Sequence, residues 1–146
     1  MAQLKYLVAV DNTEEADEVM AAARKLADAT GAELACTTVI RPMIQTYGPF
    51  DIAGYSQQLV DLEEQAVDFA KQRLETLSAE YRINAADVHI RRGNPAMEIR
   101  ALASELASDM IVIGTHGRHG LGLILGSTAN AVLHGIGCDA LVVKVH

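Results

Sequence analysis

Cysteine is scarce in this chain: its 146 residues hold two, Cys36 and Cys138. Both sit in apolar contexts without metal-type spacing, so reduced, buried thiols are expected in place of a disulfide framework. Long apolar runs are missing too. The longest, such as MIVIG and LGLIL, fall far short of the ~20 residues that span a bilayer, which argues against a membrane helix. The N-terminal MAQLKYLVAV has no basic region leading into a long apolar segment and a cleavage site. No secretory signal is therefore expected, and the expected compartment is the cytoplasm. Basic residues are outnumbered, 12 Lys and Arg against 19 Asp and Glu, and the net charge of -7 repels phosphate backbones and anionic membranes at long range. Nucleic acid and membrane drop out as expected partners. A small anion stays admissible, because local backbone dipoles outweigh the global field at contact distance. No internal repeat, low-complexity tract or linker divides the sequence, and its length suits one domain over residues 1–146.

What the chain does have is a regular alternation of short apolar runs and amphipathic stretches. KYLVAV at 5–10, bounded by DNT, reads as a buried strand. Asn12 and Glu15 have the spacing of a capping box, and Ala16, Val19, Met20, Ala23, Leu26 and Ala27 then share one helical face. Gly31 supplies the stop. ELACTTVI at 33–40 is a second strand. Pro42, Gly48, Pro49 and Gly54 punctuate a long connection over 41–54, of the kind that forms a lid or binding loop. A long helix is expected over 55–82, with Leu59, Leu62, Ala66, Phe69, Leu74 and Leu77 as core packing and Asp61, Glu63 and Glu64 on a solvated face. DVHIR at 87–91 makes a third strand. Gly93-Asn94-Pro95 turns the chain, with Pro95 suited to the first position of a helix that runs through Leu106. DMIVIG is the fourth strand, a short helix follows from Ser127 to Leu133, and ALVVKV is the fifth strand. This order predicts a doubly wound, Rossmann-like α/β fold: a five-stranded parallel sheet of order 3-2-1-4-5 with helices on both faces.

Such sheets bind ligands beyond the carboxyl ends of their strands, where the winding direction reverses. Here that is the crevice between strands one and four, flanked by Asp11 and by the loop after Gly114. Residues 110–130, MIVIGTHGRHGLGLILGSTAN, hold five of the chain's eleven glycines. Consecutive amides in such a loop form a concave anion nest, and a following helix adds its unpaired donors. Gly126, Ser127 and Thr128 are placed to open that helix, so a phosphate chain is the expected ligand. The Asp11 carboxylate can accept hydrogen bonds from a ribose hydroxyl or a base amine. The base is expected to meet backbone groups near Val39, with the 41–54 segment as a cover.

These residues resemble the universal stress protein family, which combines a strand-one aspartate, a Gly-x-x-Gly turn after strand four, a spacer, and Gly-Ser opening the next helix. The matching residues are Asp11, GTHG at 114–117 and GS at 126–127, and the GNPAMEI turn and the tail GSTANAVLHGIGCDALVVKV are similar as well. The resemblance implies an ATP site in which Gly114 approaches the ribose while Gly117, Gly126, Ser127 and Thr128 bind phosphates, with Mg2+ if a triphosphate is held. AMP and ADP are further candidate ligands. The sequence departs from the nucleotide-binding pattern in its spacer, RHGLGLIL, which has eight residues where the pattern has nine. Family members also commonly dimerise through the last strand, which implies a homodimer with Val142, Val143 and Val145 near the seam.

Bland alternatives stand beside these readings. His116 and His119 read as solvated or phosphate-contacting imidazoles more readily than as zinc ligands, since no third ligand is evident and glycines flank them. Arg118 either reaches a terminal phosphate or is simply solvated. The Gly120-Leu121-Gly122 run is a poor dinucleotide fingerprint, and no P-loop pattern occurs. The glycine loop has no lysine and no second carboxylate is evident to orient water, so no catalytic residue is assigned and the expected limit is slow ATP hydrolysis or autophosphorylation. Two functions follow from the sequence: a cytoplasmic stress or signalling protein that couples adenine-nucleotide occupancy to dimer or partner contacts, or a nucleotide-independent dimeric stress adaptor.

Overall fold

The computed structural model describes residues 2–42, 53–115 and 125–146, with side chains from residue 57 onward in the second helix. Five strands, β1 (Lys5–Ala9), β2 (Glu33–Ile40), β3 (Val88–Arg92), β4 (Met110–Gly114) and β5 (Asp139–Val143), form one sheet. Their order is β3-β2-β1-β4-β5, and every neighbouring pair is parallel. The expected doubly wound topology is therefore present. Parallel neighbours need crossovers, which are supplied by helices α1 (Glu15–Thr30), α2 (Ala53–Glu80), α3 (Pro95–Glu105) and α4 (Ser127–Leu133).

Alternation along β1 divides the core between the two faces of the sheet. Tyr6 and Val8 pack with Val19, Met20 and Ala23 of α1 and Leu74 of α2, while Leu7 between them packs with Ile99 and Leu102 of α3 and Val132 of α4. Each face is lined by side chains of period two from the strands, as a sheet covered on both sides requires. Leu7, Met20, Leu102 and Ile111 are fully buried. Burial on that scale contributes about 1.5–3 kcal/mol for each large aliphatic side chain.

Helix ends follow their local chemistry, with one correction. Gly31 caps α1 in the left-handed region at φ 74, its N–H donating to the Ala27 carbonyl. Asn94 caps α3, accepting the Met97 N–H at 3.0 Å, and Pro95 occupies the first turn. The expected capping box of Asn12 and Glu15 does not form: α1 begins after Glu14 without a side-chain cap. Asp11 replaces it, its Oδ1 accepting the Thr13 N–H at 3.1 Å and the Thr13 hydroxyl. An aspartate turned onto the amide two residues on competes with a cap one residue later.

The expectation that all of the α2 stripe is core also needs correction. Leu74 is buried and Leu77 packs against the core, but Leu62 is 48% and Phe69 58% exposed. For Leu62 the physical reason is length: a helix of 28 residues spans about 42 Å, whereas strands of five to eight residues reach only about 17–27 Å, so the first half of α2 overshoots the sheet. Phe69 lies in the second half, where its neighbour Ala70 is buried, and is exposed because it is turned about 100° around the helix from the face that Ala70 and Leu74 bury.

Both thiols are free, Cys36 buried on β2 and Cys138 half-buried before β5. Burial, helped by the Asp87 charge, pushes the Cys36 thiol up to about 12. The thiolate is the reactive species, so native protein at pH 8 is expected to leave Cys36 unmodified by a thiol-exchange reagent, with reaction only after denaturant unfolds the chain. Mass spectrometry of the labelled peptides checks this. Modification of Cys36 at the unfolded rate would contradict it.

Candidate functional site

The strand order places β1 between β2 and β4, and the two central strands send the chain in opposite directions. After β1 the chain enters α1, on the face of Tyr6 and Val8; α4 lies on the other face with Leu7. Sheets wound in this way bind ligands in the crevice where such paths part, here the carboxyl ends of β1 and β4. Asp11 stands on one bank, exposed and oriented by Thr13. Gly114 ends β4 on the other.

Thr115 fastens that second bank. Its N–H donates to the Val143 carbonyl at 2.9 Å, its carbonyl accepts the Gly126 N–H, and its hydroxyl accepts the Val145 N–H at 3.3 Å. One residue thus joins the end of β4, the end of β5 and the start of α4. The Gly126 amide, which the sequence reading aims at a phosphate, is directed at Thr115 instead. The amides of Ser127, Thr128 and Ala129 in the first turn of α4 find no acceptor among the described residues, as expected for the orphan donors of a helix start. Ser127 is exposed and Thr128 half-buried at this edge.

The remaining sequence-derived candidates are distributed less tidily. Val39 turns its side chain to the α3 and α4 face, while its neighbour Thr38 is buried on the α1 and α2 face. Gly117 and Arg118 lie outside the described residues, as do His116, His119 and residues 43–52 of the expected cover. Among the described residues no group of three His, Cys, Asp or Glu side chains is arranged to hold a metal ion. No helix there is long and apolar enough to cross a membrane.

One feature escaped the sequence reading. Beside Asp11, between the start of α1, the end of β2 and the C-terminal half of α2, a cavity of about 370 Å³ opens. Val10, Asp11 and Thr38 line one wall, and Phe69, Arg73 and Leu77 the other. The Arg73 guanidinium lies over the Phe69 ring, 5.9 Å from its centroid. The only sequence signal was an apolar stripe on α2, which reads equally well as core.

Comparison with known proteins bears on this arrangement. The model of the universal stress protein family matches residues 5–144. Universal stress protein A homolog 1 of Coxiella burnetii is 34% identical over 138 residues, covering 94% of this chain and 93% of that protein. Homolog 2 of the same organism is 38% identical over 86 residues, a match that spans 59% of each chain. Among solved structures, the universal stress protein UspA from Lactobacillus plantarum superposes with a TM-score of 0.72 at 22% identity, over 98% of this chain and 99% of its own. A universal stress protein in complex with cAMP superposes with a TM-score of 0.57 at 22% identity, over 99% and 98%.

Proposed function

The chain belongs to the universal stress protein family, and from that premise we propose that it binds an adenine nucleotide, ATP with Mg2+ foremost, across the crevice between β1 and β4. Occupancy is coupled to dimer or partner contacts in the cytoplasm. The observation that carries this reading is the parallel pairing of β1, which leads to Asp11, with β4, which leads toward α4, at the point where the winding of the sheet reverses. In this reading the Ser127 and Thr128 amides and the positive end of α4 take phosphate oxygens, Gly114 lets the sugar approach the backbone, and Asp11 accepts from a hydroxyl or amine. Gly117 and Arg118 add further phosphate contacts, and Gly126 lets the phosphates come close through its missing side chain. A related protein solved with cAMP supports an adenine nucleotide as the ligand class.

The edge strand supports a homodimer in this reading. The Asp139 N–H donates to Asp109 and the Val143 carbonyl accepts from Thr115, so residues 139, 141 and 143 face β4. By alternation, Ala140 and Val142 direct their backbone groups outward along an edge with no partner strand among the described residues. That row is a template for antiparallel pairing with a second copy. Val145 is 2% exposed within its own core, so the proposed seam is the backbone of Ala140 to Val143 and not the Val145 side chain.

Thermal denaturation with Mg-ATP tests the nucleotide reading. At a hundredfold excess over Kd a ligand stabilises the folded state by about 2.7 kcal/mol, which for a chain of this size raises Tm by roughly 5–10 °C. An unchanged Tm at millimolar ATP favours the nucleotide-independent dimeric adaptor. That second reading is favoured by the eight-residue spacer and by the Gly126 amide's engagement with Thr115.

A further inference from the structure

We propose that residues 143–146, where the chain leaves the edge strand β5, form a strap that reports occupancy of the crevice, an inference that rests on the nucleotide reading above. Nucleotide binding and closure of the strap stabilise each other.

The strap is held at both banks. On the β4 side, the Val143 carbonyl accepts the Thr115 N–H at 2.9 Å, and the Val145 N–H donates to the Thr115 hydroxyl at 3.3 Å. On the β1 side, the His146 N–H donates to Glu18 Oε2 at 2.8 Å, and His146 Nδ1 lies 3.2 Å from Glu18 Oε1. Glu18 belongs to the first turn of α1. That turn is tied to Asp11 through Thr13, whose N–H donates to Asp11 Oδ1 and whose carbonyl accepts the Ala16 N–H at 3.2 Å. Between the two anchors the Val145 side chain is buried in the core cluster that holds Val19 and Met20 of α1 and Val112 of β4. Four consecutive residues thus join the segment after β1 to the segment after β4, and none of the four is among the groups assigned to the ligand.

The outer anchor is exposed on both sides, at His146 and at Glu18. Exposed contacts of this kind are weak, so the strap opens more readily than the strands it ties together. An element near balance is one that a ligand can shift. A nucleotide lying across the crevice fixes the same spacing that the strap spans, so whichever forms first lowers the ordering cost of the other. Because linkage is reciprocal, the strap raises nucleotide affinity by the factor by which the nucleotide favours its closure. The strap starts at Val143, so occupancy also steadies the end of the edge strand.

Hydrogen exchange read amide by amide, with and without Mg-ATP, tests the strap. In the parent, saturating Mg-ATP is expected to slow exchange at Val145 about fivefold, while Asp87, whose N–H is held in a turn at the start of β3, changes less than about twofold. Glu18→Ala removes the anchor on α1 and is expected to abolish that protection and to weaken ATP binding by the same factor of about five in calorimetry. Glu18→Gln keeps a carbonyl that accepts the His146 N–H and is expected to retain most of both effects. Thr115→Val removes the hydroxyl at nearly constant shape and is expected to speed Val145 exchange even without nucleotide. A melting curve on each variant checks folding. If ATP binds the parent and leaves Val145 exchange unchanged, or if Glu18→Ala keeps the protection, the strap is overturned while the nucleotide reading stands. A parent that binds no ATP removes the nucleotide reading and the strap's reporting role together.

Discussion

Asp11→Asn is expected to weaken ATP binding by roughly 10- to 100-fold while leaving the melting temperature of the free protein close to that of the parent. The size follows from the chemistry of the group. A hydrogen bond to a charged partner contributes about 1.5–3 kcal/mol, and every 1.4 kcal/mol is tenfold in affinity. The choice of asparagine separates the ligand from the fold. Asp11 Oδ1 holds the turn into α1 by accepting from Thr13, and an asparagine carbonyl can make the same bond. The second position changes from an acceptor to an NH2 donor, which cannot receive an amine or hydroxyl proton. Asp11→Ala would lose both the turn and the ligand contact, so its effect on affinity would be mixed with a loss of stability. Calorimetric titration of parent and Asp11→Asn with Mg-ATP decides the matter. Equal affinities would remove Asp11 from the site.

Ala140→Pro is expected to convert a homodimer into a monomer, halving the mass seen by light scattering from twice 15.6 kDa to the mass of one chain. Position 140 is chosen by the direction of its backbone. Asp139 and Val143 bond toward β4, so Ala140 directs its N–H outward, and proline there deletes a donor at the open edge without removing a rung of the β4–β5 ladder. Proline is tolerated at sheet edges for this reason, and the small Ala140 side chain leaves little packing to lose. The complementary control is Leu141→Pro. Its N–H faces β4, so proline there breaks the sheet itself and lowers Tm as well as changing mass. A dimer that survives Ala140→Pro with its ladder intact would place the interface elsewhere.

The sheet was legible because each strand is a short apolar run closed by turn-forming residues, and because helical patterns separate the runs. Buried parallel strands and one-sided helices leave that signature directly. The two ends of α3 were legible for similar reasons, since Asn94 and Pro95 act on their immediate neighbours. The start of α1 was less so. Asp11 and Asn12 both suit the role of turning the chain, and it is Asp11 that takes it, by accepting from Thr13. The α2 stripe misled for a different reason: helical period reports which residues share a face, and says nothing of whether a partner lies opposite along the whole helix. Phe69 and Leu62 share the face of Leu77 without sharing its burial.

Of the candidate site, the frame was legible: the strand order from which Asp11, Gly114 and Ser127 were chosen is the order the sheet has. What sequence did not carry was the direction of individual groups. The Gly126 N–H meets the Thr115 carbonyl, an outcome set by tertiary position and not by any local pattern. The cavity beside Asp11 is likewise made by residues some sixty positions apart, Val10 and Asp11 against Phe69 and Arg73, and no local pattern encodes that pairing. Val39 and Thr38 are adjacent in sequence and on opposite faces of the sheet, so a one-residue choice decided which of them lines a pocket.

The most direct test of the account is a titration of 15N-labelled protein with Mg-ATP, followed amide by amide. The prediction is that the largest shifts fall on Ser127, Thr128 and Ala129 at the start of α4 and on the residues around Asp11, the two banks of the crevice. Saturable binding whose largest shifts lie on α3 or along β3, with the first turn of α4 unmoved, would contradict it.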